Sequence, residues 1–208
     1  MIVLVIDTCG PSGSIAVGRL EGSSISLLTQ AELAGKTYSA QLVPGLRALL
    51  ADQNFAVASI QAIVVVNGPG SFTGVRVGVS STKGLADALD IPVVTVSRLE
   101  VLAQKAGTQS AALDAGRGEF YFRDTSHEFL LASADQPSFA SRPVAVCEES
   151  TLLVFPKAVR VDPPTASDAL TLAVPRLLAR DFVDIATLDG NYLRRSDAEI
   201  FAKTSGKA

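Results

Sequence analysis

The sequence has few of the residues that build metal sites and disulfide frameworks. Its 208 residues include two cysteines, one histidine and no tryptophan. Cys9 and Cys147 lie far apart and form no C-x-x-C pair, so we expect reduced thiols, with neither a disulfide framework nor a zinc site. Because His127 is the single histidine of the sequence, a metal site that needs two histidines is excluded.

A strong positive charge and long apolar runs are also missing. The formal net charge is −3, with acidic and basic residues mixed along the chain, so the protein has no field that attracts nucleic acid unaided. Residues 1–6 are apolar, but this run is short, lacks a positively charged flank and ends at Asp7. We therefore expect neither a signal peptide nor a membrane span, and a cytoplasmic protein.

The apolar residues, 48% of the chain, follow a pattern that is typical of an α/β fold. The runs that predict strands are residues 1–6, 14–18, 24–29 and 60–66. Leucines at helical spacing predict a helix over residues 37–52, in which Pro44 marks either a bend or the true start. Three strands, a helix and a fourth strand form an α/β order.

A glycine-rich loop and two further helices complete the first half. Residues 67–70 predict the loop, and Ser71 or Thr73 can cap a helix over residues 74–89. A short strand at residues 92–94 follows. The segment Ser-Arg-Leu-Glu at residues 97–100 predicts a capping box at the start of the next helix. We expect the first lobe to end near Gly107.

The second half also begins with a hairpin, which predicts a duplicated architecture. Residues 111–114 and 119–123 flank a turn that contains Gly116 and Gly118. Two hairpin-led halves with mixed sheets divide the chain into lobes at residues 1–107 and 108–208. The smaller second lobe includes a predicted helix at residues 168–180, interrupted by Pro175, and its C-terminal segment can return to the first lobe.

The helix over residues 74–89 has two faces that can pack. Its polar side holds Arg76, Ser80, Lys83 and Asp87. One apolar stripe and one stripe of small residues occupy the rest of the wheel. One of these two stripes must pack on the sheet of the first lobe. The other stripe can contact the helix at residues 37–52, a partner chain, or both.

Several segments of the chain match one known family in the same order. They are Ile-Asp-Thr at 6–8, the signature loop Gly68, Pro69, Gly70, Ser71, Phe72, Thr73 and Gly74 with Val75 and Arg76 after it, Lys-Gly-Leu-Ala at 83–86, Val-Ser-Arg-Leu-Glu at 96–100, Asp-Ala-Gly-Arg-Gly-Glu at 114–119, and residues 191–199. On these segments the chain resembles the TsaB family, also called YeaZ. Tyr38 departs from the family pattern, because many relatives have a histidine there.

The resemblance implies a two-lobed actin-like (ASKHA, RNase H-like) fold and a role without catalysis. In that role the chain is a scaffold for threonylcarbamoylation of adenosine 37 in tRNA, binding a TsaD-like transferase and enabling a TsaE-like ATPase to engage. Alone it is expected to form a homodimer, and it reaches tRNA only through the complex. The chain itself needs no cofactor or metal, and ATP with Mg²⁺ belongs to the complex.

The resemblance also implies that the helices at residues 37–52 and 74–89 form the pairing surface. The residues expected at that interface are Leu42, Leu46, Leu49, Val75, Arg76, Val79 and Lys83. A charge placed at Leu46 or Val79 is then expected to weaken pairing, because it would be trapped in an apolar contact.

Two enzymatic alternatives remain open from the sequence. Actin-like folds hold nucleotide phosphates at the turns after the first strand of each lobe, where this chain has Asp7, Thr8, Asp114, Gly116 and Gly118. The simpler interpretation is that both aspartates begin hairpin turns.

The more remote alternative is a peptidase that uses a serine and the single histidine. It would need His127 to act as the base for a serine such as Ser71, which does not lie in a G-x-S-x-G elbow. His127 lies in a polar stretch, which is typical of an exposed loop histidine. The glycine-rich loop likewise lacks the G-x-x-x-x-G-K-[ST] pattern and favours a tight turn over a phosphate cradle.

Overall fold

A computed structural model describes residues 1–35, 37–139 and 141–194. Residues 195–199 of the C-terminal signature, and the part of the predicted second lobe that follows them, lie outside the described residues. The described chain forms two five-stranded sheets. Among its helices, none is both long and apolar enough to cross a membrane.

The first sheet combines an antiparallel meander with a parallel extension. Its strands are β1 (Ile2–Asp7), β2 (Gly13–Glu21), β3 (Ser24–Leu33), β4 (Ala62–Val66) and β5 (Val93–Val96), in the order β3-β2-β1-β4-β5. β1 to β3 are antiparallel, whereas β4 and β5 continue parallel to β1. The central strands β1 and β4 are buried along almost their whole length, which explains their continuous apolar sequences.

Helices cover both faces of this sheet. On one face lie α1 (Tyr38–Asp52) and α2 (Phe72–Leu89), whose Gly45 and Gly78 approach the paired residues Ile15 and Ile6. On the other face lies α5 (Ala166–Ala179), where the Ala166 N–H donates to Ser14 Oγ at 2.7 Å. The chain therefore returns to the first sheet after it has built the second.

The second sheet has the same mixed character and a smaller core. Its strands are β6 (Ser110–Gly116), β7 (Glu119–Asp124), β8 (His127–Leu131), β9 (Val144–Val146) and β10 (Ala158–Arg160), in the order β10-β9-β6-β7-β8. Phe120, Phe122 and Phe155 dominate its core. The helix α3 (Arg98–Ala106) packs between the sheets, and α4 (Glu149–Leu152) lies beside β6.

The structure confirms one predicted helix cap and corrects the predicted helix bounds and the effect of two prolines. Ser71, one of the two predicted caps, is confirmed as the cap of α2, since its Oγ accepts the Gly74 N–H at 3.3 Å. The helix therefore begins at Phe72 rather than near residue 74. Pro44 lies inside α1, and Pro175 lies inside α5 without interrupting it. Both prolines are exposed, on the side of each helix away from the sheet.

The predicted capping box of α3 forms only in part. Ser97 Oγ accepts the Leu99 N–H at 3.2 Å, as a cap should. The Glu100 carboxylate does not turn back to Ser97. It accepts two hydrogen bonds from Arg176 of α5, at 2.8 and 2.9 Å. A partner 76 residues away in the chain has therefore replaced the local hydrogen bond.

Candidate functional site

A cleft of about 660 Å³ lies between the two sheets. Among the residues of its first-lobe wall are Cys9, Gly10, Tyr38, Ser71, Thr73 and Arg98. Its second-lobe wall includes Leu113, Asp114, Gly116, Tyr121 and Glu148. The cleft thus meets the turn after the first strand of each lobe and the N-terminus of α2.

The turn after β1 is closed by its own hydrogen bonds. The Asp7 carboxylate accepts the Cys9 N–H at 2.9 Å, and the Thr8 hydroxyl donates to the Gly74 carbonyl at 2.6 Å. Asp7 is 2% exposed and Thr8 is fully buried. Burial raises the pKa of the Asp7 carboxyl, and the positive charge of Arg98 opposes part of that rise.

The signature loop packs tightly against this turn. A Cβ atom at Gly70 would lie 2.2 Å from the Cys9 carbonyl oxygen, and one at Gly74 would lie 2.0 Å from that of Thr8. The Ser71 N–H donates to the Cys9 carbonyl at 2.8 Å. The glycines therefore let the first turn of α2 approach β1, which accounts for them without a ligand.

The side chain at position 38, where the family pattern is broken, has a structural role. Tyr38 is 5% exposed, and its hydroxyl donates to the Gly10 carbonyl at 2.7 Å. Burial raises the pKa of Tyr38 to about 12. This hydrogen bond fixes the turn after β1 to the start of α1.

The turn on the second lobe carries the exposed acid of the cleft. The Asp114 N–H donates to Glu148 Oε2 at 2.5 Å, and the Gly116 N–H donates to Asp114 Oδ1 at 2.6 Å. Desolvation raises the pKa of Glu148, and its hydrogen bond from Asp114 opposes the rise. These two carboxylates form an acidic wall opposite α2.

The predicted nucleotide residues are not brought together at one surface. Asp114 and Gly116 line the cleft, but Asp7 and Thr8 lie behind its wall. A magnesium-bound phosphate in the cleft would need both aspartates within reach, and Asp7 is only 2% exposed. In the described chain no group of three or more His, Cys, Asp or Glu residues is arranged to hold a metal. Asp7 and Thr8 are thus not placed to contact a magnesium nucleotide in this cleft, and nucleotide binding by the chain stays a prediction.

The residues of the peptidase hypothesis are also apart. Ser71 caps α2 and lines the cleft, whereas His127 begins β8 and is not among the cleft residues. The His127 ring is exposed, with Ser126 Oγ 3.5 Å from its Nδ1. The structure therefore does not pair Ser71 with His127.

The apolar residues expected at a partner interface lie in the core instead. They are Leu42, Leu46, Leu49, Val75 and Val79, each between 1% and 6% exposed. They face the first sheet, so they cannot anchor an exposed surface, and a charge at Leu46 or Val79 would test folding rather than pairing. Arg76 is exposed, 3.9 Å above the Phe72 ring, and Lys83 is half-buried. Pairing through these helices stays a prediction.

The outer side of the same two helices is apolar or small. On α1, Val43 is 49% exposed, and Pro44 and Ala48 are exposed beside it. On α2, Ser80, Gly84 and Ala88 recur every fourth residue and are all exposed. A Cβ atom at Gly84 would have no neighbouring atom within 4 Å in the part of the chain that the structure describes.

The described part of the C-terminal segment, residues 191–194, contacts other segments that match the family. The Asn191 N–H donates to the Asn67 carbonyl at 2.7 Å, and the Tyr192 ring lies 5.1 Å from the Phe72 ring. Arg194 donates to the Gly116 carbonyl at 3.1 Å and pairs with Glu119. The described part of the C-terminal signature thus contacts both the signature loop and the β6–β7 turn.

The buried side chain of Arg98 was missed by the sequence analysis. Its backbone N–H donates to the Gly68 carbonyl at 2.7 Å, and its side chain is 4% exposed at the cleft. The sequence placed this residue inside a capping box, where an exposed cation is usual. Its burial depends on packing between the lobes, for which the local sequence carries no signal.

Comparisons with known proteins agree with this arrangement. The family model for tRNA N6-adenosine threonylcarbamoyltransferase (TsaD) matches residues 26–182. A Bacillus subtilis protein named tRNA threonylcarbamoyladenosine biosynthesis protein TsaB is 39% identical over 125 residues, or 58% of this chain and 53% of that protein. An uncharacterized Mycobacterium tuberculosis protein is 31% identical over 208 residues, or 96% of this chain and 95% of that protein.

A solved structure shows the same architecture over nearly the whole chain. YeaZ from Pseudomonas aeruginosa superposes with a TM-score of 0.75 and 26% identity, covering 92% of this chain and 99% of that one. The matches to the relatives named TsaB span about half the length of those proteins. The fold is α/β of the actin-like, RNase H-like type. The chain belongs to the TsaB (YeaZ) family.

Proposed function

We propose that this chain is a non-catalytic subunit for threonylcarbamoylation of adenosine 37 in tRNA. It pairs with a TsaD-like transferase and allows a TsaE-like ATPase to engage. Its family and the name of the Bacillus subtilis relative support the pathway. The observation that carries the proposal is the outer surface of α1 and α2, which is built from exposed apolar and small residues.

This surface is suited to contact with another pair of helices. Ser80, Gly84 and Ala88 form a row of small residues along α2, which lets a second helix approach closely. Val43 on α1 supplies an apolar side chain that is half exposed in the single chain. Burying such a side chain in a contact contributes binding energy, since its apolar area leaves water.

The contribution of this subunit is therefore binding rather than chemistry. Exposed Arg47 on α1 and Arg76 on α2 add positive charge beside the apolar surface, where they orient the partner more than they strengthen the contact. The same surface accounts for a homodimer when the transferase is absent. Contact with tRNA is then made through the complex, in keeping with the net charge of −3.

The proposal is tested by the affinity of this chain for the TsaD-like transferase of the same organism. Val43→Glu and Gly84→Arg each place a charge on the surface without disturbing the core, since Val43 is half exposed and, among the described residues, the space around Gly84 is open. A charge trapped in an apolar contact costs about 3 kcal/mol, so each variant should bind roughly 100-fold more weakly in titration calorimetry.

Leu153→Glu is the matched control for Val43→Glu. Leu153 is an exposed apolar residue, 80% exposed, on the second lobe. We expect this variant to bind the transferase as the unmodified chain does. Unchanged affinity of both surface variants would refute the assignment of the pairing surface, as would an equal loss in the control.

A further inference from the structure

Arg98 is a buried cation that makes no close ion pair within the described chain. No carboxylate oxygen of the described residues lies within 4.0 Å of its guanidinium, and its Nε has no hydrogen-bond partner. It is 4% exposed and lines the cleft, with Nη2 only 2.8 Å from the position of a Cβ atom at Gly10. Buried charges are normally paired, because removing them from water is costly. This guanidinium is therefore suited to an anion in the cleft.

The N-terminus of α2 opens onto the same wall. Thr73 and Gly74 line the cleft, and the Phe72 and Thr73 N–H groups have no partner within the helix. The helix dipole places partial positive charge at this end, and α2 has 18 residues. Because the Arg98 N–H donates to Gly68 in the loop that leads into α2, both features belong to one wall. Two independent features thus favour a negative group there.

The opposite wall has the reverse polarity. Asp114 and Glu148 line it, and each carboxylate accepts a backbone N–H of the second lobe. The charges of Asp7 and Glu148 both interact with Arg98 at longer range, but neither forms an ion pair with it, and Asp7 is buried behind the first wall. A simple anion can interact favourably only with the positive wall of the cleft, which holds Arg98 and the N-terminus of α2. A molecule with an anionic group at one end and hydrogen-bond donors at the other satisfies both.

We propose that the cleft binds a small molecule whose anionic group, a carboxylate or a phosphate, lies between the Arg98 guanidinium and the first turn of α2. Its hydroxyl or ammonium groups donate to Asp114 and Glu148. Tyr38 and Tyr121 form part of the walls between these ends. The site requires no metal, and it is independent of the surface through which the chain pairs with the transferase.

The test measures binding of three probes to the full chain by titration calorimetry in chloride buffer: inorganic phosphate, glycerol 3-phosphate and glycerate. We expect glycerol 3-phosphate or glycerate to bind at least about tenfold more tightly than inorganic phosphate, because their hydroxyls reach the acidic wall. The better of the two tells whether the anionic group is a phosphate or a carboxylate. Failure of all three probes to bind would overturn the proposal.

Substitutions at Thr73 locate the site without touching the buried arginine. Thr73 is exposed in the first turn of α2, where an acidic residue favours the helix, so Thr73→Asp should fold. Its carboxylate would repel the anion and weaken probe binding at least about tenfold. Thr73→Asn is the uncharged match and should bind as the unmodified chain does.

Arg98→Gln and Arg76→Gln complete the series. Arg98→Gln should also weaken binding at least about tenfold, because it removes the charge-assisted hydrogen bonds. Arg76 lies on the same helix but outside the cleft, so Arg76→Gln should bind normally. If Arg98→Gln does not fold, the comparison of Thr73→Asp with Thr73→Asn tests the site instead.

Equal probe binding by Thr73→Asp and Thr73→Asn would refute the proposed anion site. Equal affinities for phosphate and for both hydroxylated probes would refute the role of the acidic wall.

Discussion

At the scale of single residues, the hydroxyl of Tyr38 connects α1 to the turn after β1. It is buried and donates to the Gly10 carbonyl at 2.7 Å. We predict that Tyr38→Phe lowers the free energy of unfolding by about 1 kcal/mol, because it leaves a buried carbonyl without its donor. Urea denaturation measures the loss. Tyr192→Phe, at a more exposed tyrosine, is the control and should change stability by less than about 0.5 kcal/mol. Equal effects would contradict the role given to Tyr38.

Asp7 should make stability depend on pH. Burial raises the pKa of its carboxyl in the folded state, so the folded chain binds this proton more tightly than the unfolded chain. Its stabilising contribution is therefore complete below the unfolded pKa of about 4 and is lost as pH rises through the raised folded pKa. Asp7→Asn keeps an acceptor for the Cys9 N–H and removes this titration.

We predict that the variant gains stability relative to the unmodified chain as pH rises. Free energies of unfolding measured from about pH 4 to about pH 8 give the difference between the two proteins at each pH. Other titrating groups cancel in that difference. A difference that stays constant, or that falls with pH, would show that burial does not dominate the Asp7 environment.

At the scale of helices and strands, local patterns predicted what local forces determine. The apolar spacing of α1 and α2 and the continuous apolar runs of β1 and β4 identified these elements, because burial against one sheet sets their periodicity. The same spacing could not tell a core face from a partner face. Leu46 and Val79 were therefore predicted at an interface, although they contact the first sheet.

The Glu100–Arg176 pair shows why the predicted capping box forms only in part. This pair joins α3 to α5 through two hydrogen bonds and is partly buried. We predict a coupling energy of about 1 kcal/mol in a double-mutant cycle of Glu100→Gln and Arg176→Gln, measured by denaturation. The exposed pair Arg19–Glu21 is the control and should couple by less than about 0.5 kcal/mol. Equal coupling in both pairs would remove the proposed link between α3 and α5.

A substitution at Gly84 on α2 is expected to affect folding stability and pairing in opposite directions. A glycine in the middle of a helix is less favourable than arginine by roughly 0.5–1 kcal/mol, and no neighbouring atom of the described residues lies within 4 Å of a Cβ atom at Gly84. Gly84→Arg should therefore raise the free energy of unfolding of the chain under conditions in which it is monomeric. The same substitution should weaken pairing. Chemical denaturation checks the first effect, and a destabilised variant would mean that the outer side of α2 is already covered.

At the scale of the whole molecule, the sequence predicted two hairpin-led halves, but it did not predict the contacts between them. The signature loop, the β6–β7 turn and residues 191–194 converge although they are far apart in the chain. The cleft with Arg98 on one wall and Asp114 on the other depends on that convergence. No local periodicity encodes it, and only the resemblance to a family suggested that these segments act together.

The central claim, that the chain supplies binding and not chemistry, is tested most directly by reconstituted threonylcarbamoyl transfer. The chain, a TsaD-like transferase and a TsaE-like ATPase of the same organism are combined with tRNA and a threonylcarbamoyl donor, and modified adenosine is measured by mass spectrometry. We predict negligible transfer without the chain, full transfer with it or with Leu153→Glu, and little transfer with Val43→Glu. Full transfer by the transferase and ATPase alone would contradict the account.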